Sequence, residues 1–384
     1  MLVDRSLFPR DKCCGDGLTT GALRELDRLG LDPVDVASWC PIEAAWVRSP
    51  SGRTVEFPFP GNGVFGAVAR RADLDLALLE LARASGAKVL DGHALTGATW
   101  SPDGVTLTVE GVQPIAARYV IGADGMWSPL RKALGLADQP TGYLGEWHAF
   151  RQYYDAPGPL ARHLWVWFEP DLLPGYAWSF PLPGGKVNIG FGIRRQLGEP
   201  TRAMAPLWRE LRQRPHIADV LGPGAAAEAP HKAWPIPASL SGGTKGVTAA
   251  GGRVLFVGDA ARACDPMTGE GIGQALETAR LAAAAVLAAG PSAPGLAAGR
   301  YQAALRRGMV VDHRLAEFLS TNALAHRKGA RAAVRIAGTG DWTRRNFARW
   351  LFEDYPRAAL VTPSRWRHGL LSGAGAFRSR PGAG

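Results

Sequence analysis

Long hydrophobic runs, cysteine and lysine are all scarce in this chain. No apolar stretch approaches the ~20 residues that a membrane span needs. The longest, Leu281–Ala289, is Ala-rich and reads as a short buried helix. Met1–Arg10 has no charged start followed by an apolar core, so it is not expected to act as a signal peptide. The four cysteines, Cys13, Cys14, Cys40 and Cys264, are two adjacent and two distant thiols. That spacing makes neither a disulfide framework nor a zinc set, and the histidines are dispersed, so no metal site is expected. No nucleophilic triad is detectable either. Reduced thiols make the cytoplasm the expected compartment. With 46% hydrophobic and 20% charged residues, a disordered or fibrous chain is excluded. A length of 384 residues suggests two or three folding units.

Acidic residues are scarce in one place only. From Arg300 to Gly384 there are 16 Lys+Arg against 5 Asp+Glu, so this segment carries +11 of a total of +10. A basic tail on a near-neutral body suits an anionic partner. The expectation is peripheral contact with the inner face of a membrane, with no nucleic acid. A solvated helical face in an Arg-rich composition is the alternative, since only 7 of the 44 basic residues are Lys.

What is present is a sequence of βα units interrupted by an antiparallel pattern. Met1–Val3 leads into Asp4 like the end of a strand. Leu18–Leu31 and Arg71–Ser85 have helical apolar spacing. Lys88–Leu90, Gly104–Glu110 and Arg118–Gly122 read as strands. Trp147–Tyr154, His163–Phe168, Tyr176–Phe180 and Val187–Ile193 alternate with Pro/Gly turns, as an antiparallel sheet does. A short helix is expected at Ala205–Arg214, a buried strand at Arg253–Gly258 and a long helix at Gly271–Ala289.

The expected fold is α/β: a Rossmann-like domain with an inserted antiparallel β substrate domain and C-terminal helices. Residues 1–40, 65–140 and 250–292 would form the discontinuous first domain, and 41–64 with 141–249 the second. Residues 295–372 would form a basic helical region and 373–384 a frayed tail.

The strongest motif is RVLFVGDAARACDPMTGEGIG, residues 253–273. A buried strand ends at Gly258-Asp259, where a carboxylate can accept from a ribose or ribityl hydroxyl. Pro266 turns the chain, and Gly269, Gly271 and Ile272 open a helix whose bare N–H groups favour negative charge. VIGADGMWSPLR, residues 120–131, repeats the strand ending with Asp124-Gly125. Arg71 at a helix start could reach a pyrophosphate or simply lie on the surface. Gly61–Gly66 also fits G-x-G-x-x-G. Two prolines precede it and a β-like run follows it, so it reads as a turn.

These residues resemble the FAD-dependent geranylgeranyl reductase family, within the class shared with para-hydroxybenzoate hydroxylase. Phe8-Pro9-Arg10-Asp11-Lys12 with Cys14-Gly15-Asp16-Gly17-Leu18 resembles its N-terminal signature. Pro174-Gly175-Tyr176-Ala177-Trp178-Ser179-Phe180-Pro181, then Val187-Asn188-Ile189-Gly190, resembles its substrate-domain signature. The Gly258-Asp259 stretch resembles its flavin-contacting motif. The resemblance implies FAD as cofactor, NAD(P)H or another reductant as electron donor, and Asp4 as the acidic residue on the adenosine ribose. The negative charge received at Gly269–Gly273 would then be that of a reduced flavin. The first βα unit with its pyrophosphate loop is missing from the pattern. Roughly 30 residues are therefore expected upstream of Met1, and the chain as given is expected to bind FAD poorly.

The implied reaction adds a hydride and a proton to an unactivated prenyl C=C bond. Tyr176, Trp178 and Phe180 alternate on one strand and share one face. They would form an aromatic wall for an apolar prenyl substrate, or a sheet face packed on its own core. Resemblance puts Cys14 beside the flavin as the candidate catalytic thiol; a small buried residue is the plainer reading. A flavin hydroxylase of the same fold and a non-catalytic truncated product remain alternatives.

Overall fold

A computed structural model of the chain describes residues 1–136, 145–156, 158–195 and 204–378. Its helices are α1 (Thr20–Leu29), α2 (Arg71–Ala84), α3 (Pro129–Ala133), α4 (Met204–Gln213), α5 (Pro215–Leu221), α6 (Ile272–Ala289), α7 (Pro294–Arg307), α8 (Met309–Leu319), α9 (Arg327–Ala337) and α10 (Asp341–Leu351). The chain divides into two units, one of residues 1–10, 75–145 and 236–314, the other of 11–74, 146–235 and 315–384.

In the first unit the strand Val254–Phe256 lies parallel to Val120–Gly122 and antiparallel to Thr248–Ala249. Its three residues are completely buried, as a continuous apolar run requires when both faces are covered. Ala282 and Ala285 of α6 and Tyr301 and Leu305 of α7 share that core. The buried Tyr301 hydroxyl donates to the Phe256 carbonyl at 2.8 Å, so α7 is tied to the strand by a polar contact as well as by area. Leu2–Asp4 pairs in parallel with Val89–Asp91. A meander of Leu95–Ser101, Gly104–Val109 and Ile115–Ala117 completes the unit; the first and third of these strands were not legible in the sequence.

The second unit is built on a large sheet ordered Ala226–Ala227, Trp147–Asp155, Lys186–Arg194, Tyr176–Leu182, Leu164–Trp167, Ala44–Arg48, Thr54–Pro58. Neighbours run antiparallel except Leu164–Trp167 against Ala44–Arg48. Alternation sends Trp165 and Trp167 to one core, with Trp208 and Leu211 of α4. Leu164 and Val166 go to the other, with Val334 of α9 and Ala348 of α10. A small sheet pairs Gly66–Val68 with Gly17–Thr19 and with Cys40–Pro41.

The division differs from the expected one. Residues 11–40 and 65–74 belong with the large sheet, because their strands pair with each other in the small sheet of that unit. Residues 236–249 belong to the first unit, where Thr248–Ala249 pairs with Val254–Leu255. The basic C-terminal region is not separate: α7 packs on α6, and α10 packs along Thr54–Pro58. The tail is not frayed at 373–378, since Ala376 and Val64 exchange two backbone hydrogen bonds of 2.9 Å. Residues 379–384, and the expected boundary at 140, lie outside the described residues. Leu281–Ala289 is the second half of α6 and is not wholly buried; Leu287 is 82% exposed. By length and mean hydropathy, 1.2, α6 is long enough to cross a membrane. Its buried stripe of Gly273, Gln274, Thr278, Ala282 and Ala285 reads as the packing face of a core helix.

Candidate active site

Two arrangements carry the chemistry, one in each unit. In the first unit both Gly-Asp motifs follow the carboxyl ends of adjacent parallel strands. Asp124 caps the turn into α3, accepting from the Ser128 hydroxyl and the Leu130 N–H, each at 2.8 Å through Oδ2. Its Oδ1 is buried and has no partner among the described residues. Gly125 sits at φ +83°, and a Cβ there would meet no atom within 4 Å. Arg131 fixes the neighbouring loop by donating to the carbonyls of Gly246 and Ala260 at 2.9 and 3.0 Å, so it is structural.

After the second strand, Gly258 adopts φ +55° and gives its N–H to Thr278 at 2.9 Å. Asp259 Oδ1 accepts from Cys264 Sγ at 3.2 Å. Pro266 is buried in a turn organised by Asp265, whose carboxylate takes the N–H groups of Met267 and Thr268 at 2.9 and 2.8 Å. Gly269 is at φ +71°, and a Cβ on Gly271 would lie 2.9 Å from Cys264 Sγ. The helix start before Ile272 is not wholly bare: Glu270 accepts the Gly273 N–H at 2.7 Å. Asp4 ends its strand as expected, and its carboxylate accepts the Ser6 N–H at 2.8 Å.

In the second unit Tyr176, Trp178 and Phe180 do share a face, with ring centroids 6.0 and 5.9 Å apart. Trp178 is buried and lies over Gly190 of the next strand, where a Cβ would come within 2.5 Å of the indole. The loop Cys14–Gly17 packs on two of the three rings: a Cβ on Gly15 would lie 3.5 Å from the Trp178 indole and one on Gly17 2.9 Å from the Phe180 ring. The run is thus partly a packed face, with Tyr176 and Phe180 half-exposed at its edges.

A buried polar network sits under this loop. Asp16, wholly buried at φ +65°, accepts from the Tyr153 hydroxyl at 2.6 Å and from Asn188 Nδ2 at 2.8 Å. Asn188 also donates to the Cys14 carbonyl at 2.8 Å and accepts from Trp178 Nε1 at 3.1 Å. Cys14 Sγ is half-buried and accepts the Asp16 N–H at 3.4 Å. Burial pushes the Asp16 carboxyl up to about 6, against the pull of the Tyr153 and Asn188 hydrogen bonds and the charges of Arg151 and Arg71. Burial, with the Asp16 charge beside it, also raises Tyr153. Burial pushes the Cys13 thiol up to about 12, so it is no nucleophile at neutral pH.

Three comparisons bear on this geometry. A family described as FAD binding domain matches residues 64–290. Menaquinone reductase of Mycolicibacterium smegmatis is 31% identical over 392 residues, covering 94% of this chain and 90% of that one. Digeranylgeranylglycerophospholipid reductase 2 of Methanopyrus kandleri is 30% identical, covering 71% of this chain and 66% of that one. The chain belongs to the geranylgeranyl reductase family of FAD-dependent oxidoreductases. The fold agrees: a geranylgeranyl bacteriochlorophyll reductase-like protein from Thermoplasma acidophilum superposes with TM-score 0.71 at 19% identity, over 94% of this chain and 90% of that one.

As a member of this reductase family the chain has FAD for its cofactor. The residues present fit it. An unpaired buried acceptor on Asp124, beside the open space at Gly125, is what a ribose or ribityl hydroxyl would complete. Asp259, Pro266, Gly269, Gly271 and Ile272 lie at and just before the start of α6 in the same unit, and these residues would hold the flavin there. Arg71 begins α2 and belongs to the other unit, where it acts electrostatically on Asp16. Asp16, Tyr153, Asn188 and Glu270 were not singled out by sequence. The signal that could have found the first was an Asp between two glycines, a place where an αL backbone is common.

Proposed function

We propose that this chain is an FAD-dependent reductase of C=C bonds in an isoprenoid chain, with a menaquinone side chain or a geranylgeranyl lipid as its substrate. The observation that carries the reading is the aromatic run Tyr176, Trp178, Phe180 with the Cys14–Gly17 loop seated on it. The named activities of the menaquinone and digeranylgeranylglycerophospholipid reductases support it. Reduced FAD, when bound, supplies hydride. The protein's part is to hold an apolar bond without water and to manage one proton. Half-exposed rings of Tyr176 and Phe180 offer area to a hydrocarbon, at ~25 cal/mol per Å2 buried. Cys14, on the loop that packs against Trp178 and Phe180, carries a thiol proton, and the Asn188–Asp16 network fixes its backbone. Only an apolar substrate suits this face: of the three rings one bears a hydroxyl, too little to orient a buried carboxylate.

The test is anaerobic. Protein reconstituted with FAD and reduced with dithionite is mixed with a prenyl lipid. Flavin reoxidation with a product heavier by two hydrogens is the expected result. Turnover that requires oxygen and adds an oxygen atom would overturn the reading in favour of hydroxylation.

A further inference from the structure

Helix α9 contains no acidic residue. Ala330, Val334 and Ala337 bury one side of it. On the opposite arc Lys328, Arg331 and Arg335 are exposed, Arg327 is exposed in the first turn at the flank of the buried side, and none of these side chains has an ion-pair or hydrogen-bond partner among the described residues. The arc ends in Ile336, which is 67% exposed, and past the turn at Gly338–Gly340 comes Trp342, 65% exposed at the start of α10. This corner is fixed rather than loose. The Thr339 and Thr343 hydroxyls lie 3.4 Å apart across the turn, and a Cβ on Gly338 would come 3.1 Å from Val55 of the large sheet.

Three unneutralised cations, Lys328, Arg331 and Arg335, beside two large exposed apolar side chains make a composite surface. A polyanion such as RNA would satisfy the cations and gain nothing from Ile336. An apolar protein groove would take Ile336 and Trp342 but leave the cations desolvated and unpaired. Anionic lipid answers both: phosphate oxygens meet the guanidinium groups, while an aliphatic and an indole side chain enter the boundary between headgroups and acyl chains.

We propose that the exposed face of α9, with Trp342, docks this protein on an anionic lipid bilayer surface. The contact rests on the proposed isoprenoid activity only for its purpose, because a prenyl lipid resides in a bilayer; the binding itself follows from charge and exposure.

The test is co-sedimentation of the full chain with vesicles of phosphatidylcholine alone and of phosphatidylcholine mixed with phosphatidylglycerol. Binding to the mixed vesicles only is expected, with loss as salt shortens the Debye length to ~3 Å. Lys328→Gln with Arg335→Gln should weaken it roughly 25-fold, at about fivefold per residue. The same charge change at Arg53 and Arg209, exposed elsewhere in the unit, should alter it less than twofold. Ile336→Ser with Trp342→Ser should weaken low-salt binding to the mixed vesicles by roughly tenfold. Equal losses from both charge pairs, or binding to RNA but not to vesicles, would overturn the proposal. Turnover of a short prenyl substrate in detergent should be unchanged in every variant. Failure of the docking therefore reads differently from failure of the reductase assignment.

Discussion

Arg214 and Arg331 are the same residue type in the same unit, and their surroundings are opposite. Arg214, at the start of α5, holds Glu169 at 2.6 Å, Asp171 at 2.7 Å and Glu210 at 2.9 Å. Arg331 holds nothing among the described residues. The difference lies in which carboxylates the fold brings within reach. The same holds inside the basic C-terminal segment: Arg349 pairs with Asp354 at 2.5 Å and Arg357 with Glu353 at 3.0 Å, both arginines being buried. Both pairs are already cancelled within the net +11 of that segment, and among its remaining cations those of α9 have no side-chain partner among the described residues. Arg214, Arg349 and Arg357 are locked by partners whereas Arg331 is left to solvent, and the two classes should respond differently to mutation.

The largest effect is expected where a locked polar group is also a core side chain. Trp178→Ala removes the indole packed over Gly190 and the donor to Asn188, and should cost about 3–5 kcal/mol in denaturant unfolding. Reductase activity on long prenyl substrates should fall more than on short ones. A loss under about 1 kcal/mol would show that the trio is an open wall and not part of the locked class.

Next is Asp16. Its carboxyl titrates at about 6 in the folded chain and 3.8 in the unfolded one. Between those values the folded state binds the extra proton. The stability from this group is complete below pH ~4 and is lost as pH rises through about 6, a span of about 3 kcal/mol. Asp16→Asn should remove that decline, so the difference between wild-type and variant melting temperatures should change over pH 4–7 (~3 units). A difference that stays flat would mean that Asp16 is not isolated from solvent.

Arg214→Ala should cost roughly 2 kcal/mol, less than a fully buried pair because Arg214 is partly exposed, by leaving Glu169 with His216 at 2.9 Å and Arg48 at 3.6 Å. Burial raises the Glu169 carboxyl, but His216 and Arg214 outweigh it and hold it below the ordinary range. The smallest effect belongs to the free class: Arg331→Ala should change stability by no more than about 0.5 kcal/mol. If the two arginine variants melt alike, the contrast between locked and free charge has no energetic content.

Much of this was legible in the sequence because it is local. Period-two alternation marked Tyr176–Phe180 and Val187–Ile193, which lie within the strands Tyr176–Leu182 and Lys186–Arg194, and the glycine and aspartate endings marked Asp124 and Asp259 at strand ends. What was not legible is what joins distant positions. Asp16 meets Tyr153 and Asn188 from 137 and 172 residues away, so a small acidic residue between glycines gave no sign of its burial. The unit boundaries failed for the same reason: residues 11–40 are claimed by pairing in the small sheet and by the Asp16 bonds to Tyr153 and Asn188, and 315–378 by packing on the large sheet, and no compositional change announces them. The absence of partners on α9 was also invisible, because a charge count does not say which charges are neutralised.

Asn188 has a consequence for how the protein ages. The Trp178 indole can only donate, whereas the Cys14 carbonyl and an ionised Asp16 can only accept, so the side chain between them must invert polarity. A carboxamide does this in one orientation, which leaves its amide no flip state to choose. Hydrolysis of that amide, the ordinary chemical ageing of asparagine, would set a new carboxylate against the Asp16 carboxylate and the Cys14 carbonyl. An old preparation could then lose the seating of its cysteine loop with almost no change in mass, and the damage would pass for misfolding unless residue 188 itself were sequenced.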